Sequence, residues 1–167
     1  MPLLLISGQP GAGKSTFCRW LVHEKGYAYV ETDAEWNIWG STLTEPGLGS
    51  AREVHNRLRQ RGPDVVIEWG FHPDLLHRIR ELIIVGLEHW WFRADEAAAF
   101  QQYLNRSGDV SEEAYRIQLE RITHSFAMIE KVYRGRMLEV LEPDGTRMPY
   151  DEILTMMLGI TRHPPGQ

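Results

Sequence analysis

The chain has 167 residues, of which 43% are hydrophobic and 25% charged, an ordinary composition for a single globular domain. Its one cysteine, Cys18, excludes an internal disulfide framework and a cysteine-rich zinc site. A formal charge of -5 argues against a partner such as long nucleic acid, which calls for a basic surface.

Strand-like and helix-like stretches alternate along the chain, the pattern of an α/β fold with a largely parallel sheet. Leu3 to Ser7 is a short apolar run stopped by Gly8 and reads as a buried strand. Lys14 to Glu24 reads as a helix with Phe17, Cys18, Leu21 and Val22 inward, closed by Gly26. Tyr27 to Glu31 is the second expected strand, and the Gly-, Ser-, Thr- and Pro-rich stretch from Gly40 to Ser50 a loop. Ala51 to Arg61 follows as a polar helix with Val54 and Leu58 inward, then Asp64 to Trp69 as the third strand. Pro73 to Val85 is expected to be helical, with its proline in the tolerated first turn. Leu87 to Phe92 is the fourth strand.

Asp95 is placed to cap a helix that runs to Arg106 and closes at Gly108, and Ser111 to cap the longest helix, to about Arg134. Along that helix Tyr115, Leu119, Ile122, Phe126, Ile129 and Tyr133 recur at steps of three and four, which is one apolar stripe. Met137 to Leu141 is the fifth strand, Pro143-Asp144-Gly145 a turn and Tyr150 to Leu158 a last helix. The expected organisation is one domain over residues 1–161 with a frayed tail at 162–167. No apolar run approaches the ~20 residues of a membrane helix. No signal-peptide pattern opens the chain. A cytoplasmic protein with no membrane partner is therefore expected.

The segment Gly8-Gln9-Pro10-Gly11-Ala12-Gly13-Lys14-Ser15 fits the phosphate-loop pattern G-x-x-x-x-G-K-[ST]. It stands between an apolar strand and an amphipathic helix, the context that the pattern requires. Glycines let backbone N–H groups turn inward and come close to an anion. The helix starting near Lys14 adds its positive end. Gly8, Gly11, Ala12, Gly13, Lys14, Ser15 and Thr16 are thus the expected nucleotide-binding residues. Lys14 would sit on the β- and γ-phosphates, Ser15 would ligate Mg²⁺, and Thr16 would bond the α-phosphate.

With this loop the chain resembles the small P-loop kinases of the nucleotide-kinase, polynucleotide-kinase-like and chloramphenicol phosphotransferase-like group. The likeness of layout covers nearly the whole chain. It implies a three-layer P-loop fold with a five-stranded parallel sheet in the order 2-3-1-4-5, flanked by helices, and a helical lid over about residues 93–112. It also implies ATP and Mg²⁺ as cofactors, and transfer of the ATP γ-phosphoryl group to a hydroxyl or phosphate of a small-molecule or nucleotide-like acceptor. Thr32-Asp33 resembles the group's Ser/Thr-Asp motif, in which the aspartate orients or deprotonates the acceptor; a helix cap is the other reading of Asp33. Glu68 stands where the group has a carboxylate that serves Mg²⁺, and an arginine-paired structural carboxylate is its alternative. Arg106 matches one of a pair of lid arginines that stabilise the transferring phosphate. Gln102 stands where the other is expected, and Arg93, Arg116 and Arg121 are possible replacements.

Six tryptophans are many for this length. Trp36 and Trp39 follow Asp33, and Trp69 follows Glu68, so these three could wall the acceptor site. Packing over the sheet is the other reading of Trp36 and Trp39. Trp90 and Trp91, inside the fourth strand, are expected in the core. A regulatory nucleotide-binding ATPase or GTPase-like module is the alternative function. Nothing in the chain, however, matches Asn-Lys-x-Asp, and Glu68-Trp69-Gly70 replaces a D-x-x-G after the third strand.

Overall fold

β1 (Leu3–Gly8) is buried at every position, as a strand covered on both faces must be. It lies at the centre of the sheet, between β3 (Val65–Glu68) and β4 (Leu87–Ala94). The edges are β2 (Ala28–Glu31) and β5 (Met137–Leu141). All four pairings are parallel, and the order is β2-β3-β1-β4-β5, the order expected from the phosphate-loop resemblance. This computed structural model describes residues 3–32, 50–71, 73, 76–106 and 111–161. The expectations placed on Asp33, Trp36, Trp39, Gly108, the 40–49 loop and the 162–167 tail lie outside the described residues.

Period-two alternation sends the strands' side chains to two apolar layers. On one face Leu4, Ile6, Val66, Trp90, Phe92 and Leu138 meet Phe17, Cys18 and Leu21 of α1 (Lys14–Lys25), together with Ile153 and Met157 of the last helix, α6 (Tyr150–Thr161). On the other, Leu3, Leu5, Val30, Val65, Ile67 and Leu87 meet Val54 and Leu58 of α2 (Ala51–Arg59) and Ile79 and Leu82 of α3 (Leu76–Ile84). Trp91 turns toward Ile122 and Ile129 of α5 (Glu112–Val132) and toward Tyr133. Trp90 and Trp91 are core residues, 0% and 1% exposed.

The helix ends follow their caps. Ser50 forms a capping box with Glu53, Asp95 accepts from Ala98 N at the head of α4 (Glu96–Leu104), and Ser111 accepts from Ala114 N. Gly26 ends α1 in the left-handed conformation. Several expected boundaries move, α2 ending at Arg59 and α6 running to Thr161 among them, and two of the shifts bear on the site. β4 runs on to Ala94, because the Ala94 amide donates to Gln9 Oε1 (2.7 Å) and the strand resumes its pairing with β5 beyond an irregularity at Arg93/Ala94. α4 stops at Leu104, so Arg106 stands beyond the helix.

Candidate active site

α1 begins without a side-chain cap. Gly13 is its N-cap, no side chain accepts from the first-turn amides, and no acidic residue stands in that turn. Those amides therefore keep an open, positive end. The segment before it is bent by glycines that cannot be replaced freely: Gly8, Gly11 and Gly13 have φ of 148°, 80° and 84°. A Cβ on Gly8 would meet Phe92 O at 2.3 Å, and one on Gly11 would meet Ala99 O at 2.0 Å. The loop is thus pressed against the end of β4 and the body of α4. Gln9 N donates to Phe92 O (3.2 Å), which completes the stitching to β4.

Lys14 is only 6% exposed, and its ammonium donates back over the loop to Gln9 O (2.8 Å) and Gly8 O (3.2 Å). These two bonds fold the buried ammonium back over the glycine-bent loop and so place a cation at the phosphate-loop motif. Ser15, the next residue, donates its hydroxyl to Glu68 Oε1 at 2.5 Å. Glu68 comes from the carboxyl end of β3, so Ser15 and Glu68 meet across α1 and the sheet. The Tyr29 hydroxyl donates to the other carboxylate oxygen, Oε2. Thr32 fixes the main chain at the same place. Its N and Oγ1 donate to Glu68 O at 3.1 and 2.9 Å. Burial, reinforced by the hydrogen bond to Glu68 and that carboxylate's charge, pushes the Tyr29 phenol up, so Tyr29 stays a donor at ordinary pH. Burial and Glu68 also push the Cys18 thiol up, which leaves it an inert packing residue.

Arg147, in the connection between β5 and α6, was not singled out from the sequence. Its guanidinium donates to Ala12 O of the loop (2.8 Å) and to Gln102 Oε1 of α4 (3.2 Å). A Cβ on Gly13 would lie 2.2 Å from its Nη1. A cation therefore stands at the loop beside Gln102. A lone arginine after the Pro143-Asp144-Gly145 turn was the only available signal.

The other expected site residues among those described do not gather at the loop. Arg106 is exposed, with its guanidinium 5.5 Å from the centre of the Tyr103 ring. Arg93 pairs with Glu139 at 3.0 Å and Arg116 with Glu112. Trp69 is 4% exposed and packs in the core with Val30, Ile67 and Leu82 instead of facing a crevice. An open groove of about 380 Å³ does reach the loop, between the end of β4 and α5. Gln9, Trp91, Arg93, Ile122, Thr123 and Phe126 are among its lining residues.

The loop suits a nucleotide's phosphates: it is concave, glycine-bent, cationic and headed by free helix amides. It also suits Mg²⁺. Among the described residues no group of three or more His, Cys, Asp or Glu could hold a metal by itself. Ser15 and Glu68 instead offer hard oxygen donors of the kind Mg²⁺ takes together with phosphate oxygens.

The fold is thus a five-stranded parallel sheet in the order β2-β3-β1-β4-β5, with the glycine-bent phosphate-loop motif directly after its central strand. No protein-family model matches the chain, and no curated protein matches it in sequence. Solved structures match it in shape over nearly its full length. A shikimate kinase from Acinetobacter baumannii in complex with shikimate is similar at 16% identity, covering 98% of this chain and 96% of that one, with a TM-score of 0.60. A gluconokinase from Sinorhizobium meliloti is similar at 17% identity, covering 96% and 92%, with a TM-score of 0.54. A shikimate kinase from Bacteroides thetaiotaomicron is similar at 12% identity, covering 96% and 97%, with a TM-score of 0.55. At these identities the likeness concerns the fold. No helix among the described residues is long and apolar enough to cross a membrane.

Proposed function

We propose that the chain is an ATP- and Mg²⁺-dependent phosphotransferase that moves the γ-phosphoryl group of ATP to a hydroxyl of a small molecule. One observation carries the reading. The uncapped head of α1, the buried Lys14 and the Ser15–Glu68 pair converge at the carboxyl edge of a parallel sheet, where ligands of such sheets bind. That the similar solved structures include a gluconokinase and shikimate kinases supports a small-molecule acceptor. So does the groove of about 380 Å³ beside Gln9, which is of small-ligand size.

ATP supplies the phosphoryl group, and Mg²⁺ offsets its charge. The residues of this chain do the rest by position and electrostatics, which suits a loose phosphoryl transfer. The amides of residues 8–16 hold the phosphates, and Lys14 turns from the Gly8 and Gln9 carbonyls toward the β- and γ-phosphates. Ser15 donates its hydroxyl hydrogen bond to Glu68, and its oxygen lone pairs would remain for the cation. Asp33, the residue after Thr32, orients the acceptor hydroxyl or takes its proton. Arg106 closes over the transferring group, and Trp36 and Trp39 flank the acceptor.

The test is ATP consumption against a panel of small hydroxylated acceptors, with products scored by mass. Acceptor-stimulated turnover with a phosphorylated product is expected. Turnover that no acceptor changes would favour the regulatory ATPase or GTPase-like alternative. Within that assay Asp33→Asn is expected to lower transfer by roughly 10²- to 10⁴-fold, the usual weight of a general base, while ATP affinity stays near that of the parent. Transfer at the parental rate would remove Asp33 from the mechanism.

A further inference from the structure

Tyr29 and Glu68 come from neighbouring strands whose pairing is Tyr29 with Val66 and Glu31 with Glu68. The tyrosine is therefore one pleat back from the carboxylate on the same face. A side chain shorter than tyrosine would not span that diagonal, which is about 7–8 Å in a sheet. The ring is half-buried against the layer that contains Cys18 and Val66, and its hydroxyl ends on Glu68 Oε2. Ser15 ends on Oε1. Both carboxylate oxygens are thus held by hydroxyl donors, one from the helix that follows the loop and one from the edge strand.

We infer that Tyr29 is a positioning residue for the metal site: by holding Oε2 it turns Glu68 so that Oε1 accepts the hydrogen bond of the Ser15 hydroxyl and the Ser15 oxygen would face a cation. This rests on the nucleotide-and-magnesium reading of the loop. Without the phenol, the glutamate regains its side-chain rotamers. The serine proton then loses its fixed acceptor. Tyr29 touches neither nucleotide nor acceptor in this account, so its influence passes through Glu68 alone. Partners of this kind commonly set metal affinity by about 10- to 100-fold.

The test uses the full chain with a non-hydrolysable ATP analogue and Mn²⁺ as the paramagnetic probe, followed by electron paramagnetic resonance. Tyr29→Phe keeps the ring and removes only the donor. It is expected to weaken Mn²⁺ binding to the protein–nucleotide complex about tenfold, with nucleotide affinity in chelator unchanged. Combined with Glu68→Gln, it is expected to add nothing further, because the two act as one unit. If Tyr29→Phe fails to fold, Glu68→Gln alone decides, and is expected to lose at least as much Mn²⁺ affinity. Parental Mn²⁺ affinity in Tyr29→Phe, or in Glu68→Gln, overturns the inference while leaving the nucleotide reading standing. Failure of the parental chain to bind the nucleotide at all overturns both.

Discussion

Replacing Lys14 with alanine is expected to cut phosphoryl transfer by roughly 10³-fold or more, the weight of a charged group aimed at a transferring phosphate. The substitution removes a cation that is 6% exposed and already anchored on the Gly8 and Gln9 carbonyls. No described side chain stands ready to replace it there: Arg147 is engaged with Ala12 O and Gln102. The fold should survive, because an alanine removes a buried charge instead of adding one. Circular dichroism and thermal melting check the second point, and product formation by mass checks the first. Transfer within tenfold of the parent would mean that Lys14 has a structural role only.

Gly11→Ala is expected to act on stability and binding together. Gly11 has a φ of 80°, which costs a side-chain-bearing residue about 1 kcal/mol or more. Its Cβ would lie 2.0 Å from Ala99 O and 2.7 Å from Ala99 C. That obstacle is the backbone of a helix whose Ala99 side chain is fully buried, so it cannot swing aside. Strain and clash together should cost about 3 kcal/mol, in the range of the larger single-site effects. For a chain of this size that lowers Tm by roughly 10 °C, and the displaced amides should bind ATP at least tenfold more weakly. Gly145→Ala separates the two causes. Its φ is 84°, but nothing lies within 4 Å of the added carbon, so only the smaller conformational cost is expected. Equal melting shifts in the two variants would show that the Ala99 contact is immaterial.

What was legible in the chain is what is local in it. The glycine-bent loop, the caps at Asp95 and Ser111, and the apolar runs of β1 and β3 each speak through neighbouring residues, and each appears in the structure. The strand order was legible only through the resemblance that the loop carries, since no local pattern says which strand lies beside which. Trp69 was misjudged because it was read with Glu68. The two-residue period of β3 places it with Val65 and Ile67, on the opposite face from Val66 and Glu68. Tyr29 and Arg147 went unnoticed for a different reason. The first meets Glu68 across 39 residues and the second meets Ala12 across 135, and no periodicity spans such distances. The extension of β4 to Ala94 was hidden likewise, because it depends on the side chain of Gln9.

The most direct measurement is titration calorimetry of the folded chain with ATP in magnesium-containing buffer, repeated with chelator. Saturable heat with a stoichiometry near one, weakened when magnesium is withdrawn, is the outcome that a glycine-bent amide cradle with Ser15 and Glu68 at its edge requires. An absence of saturable heat with either ATP or GTP, from protein shown to be folded, would contradict it.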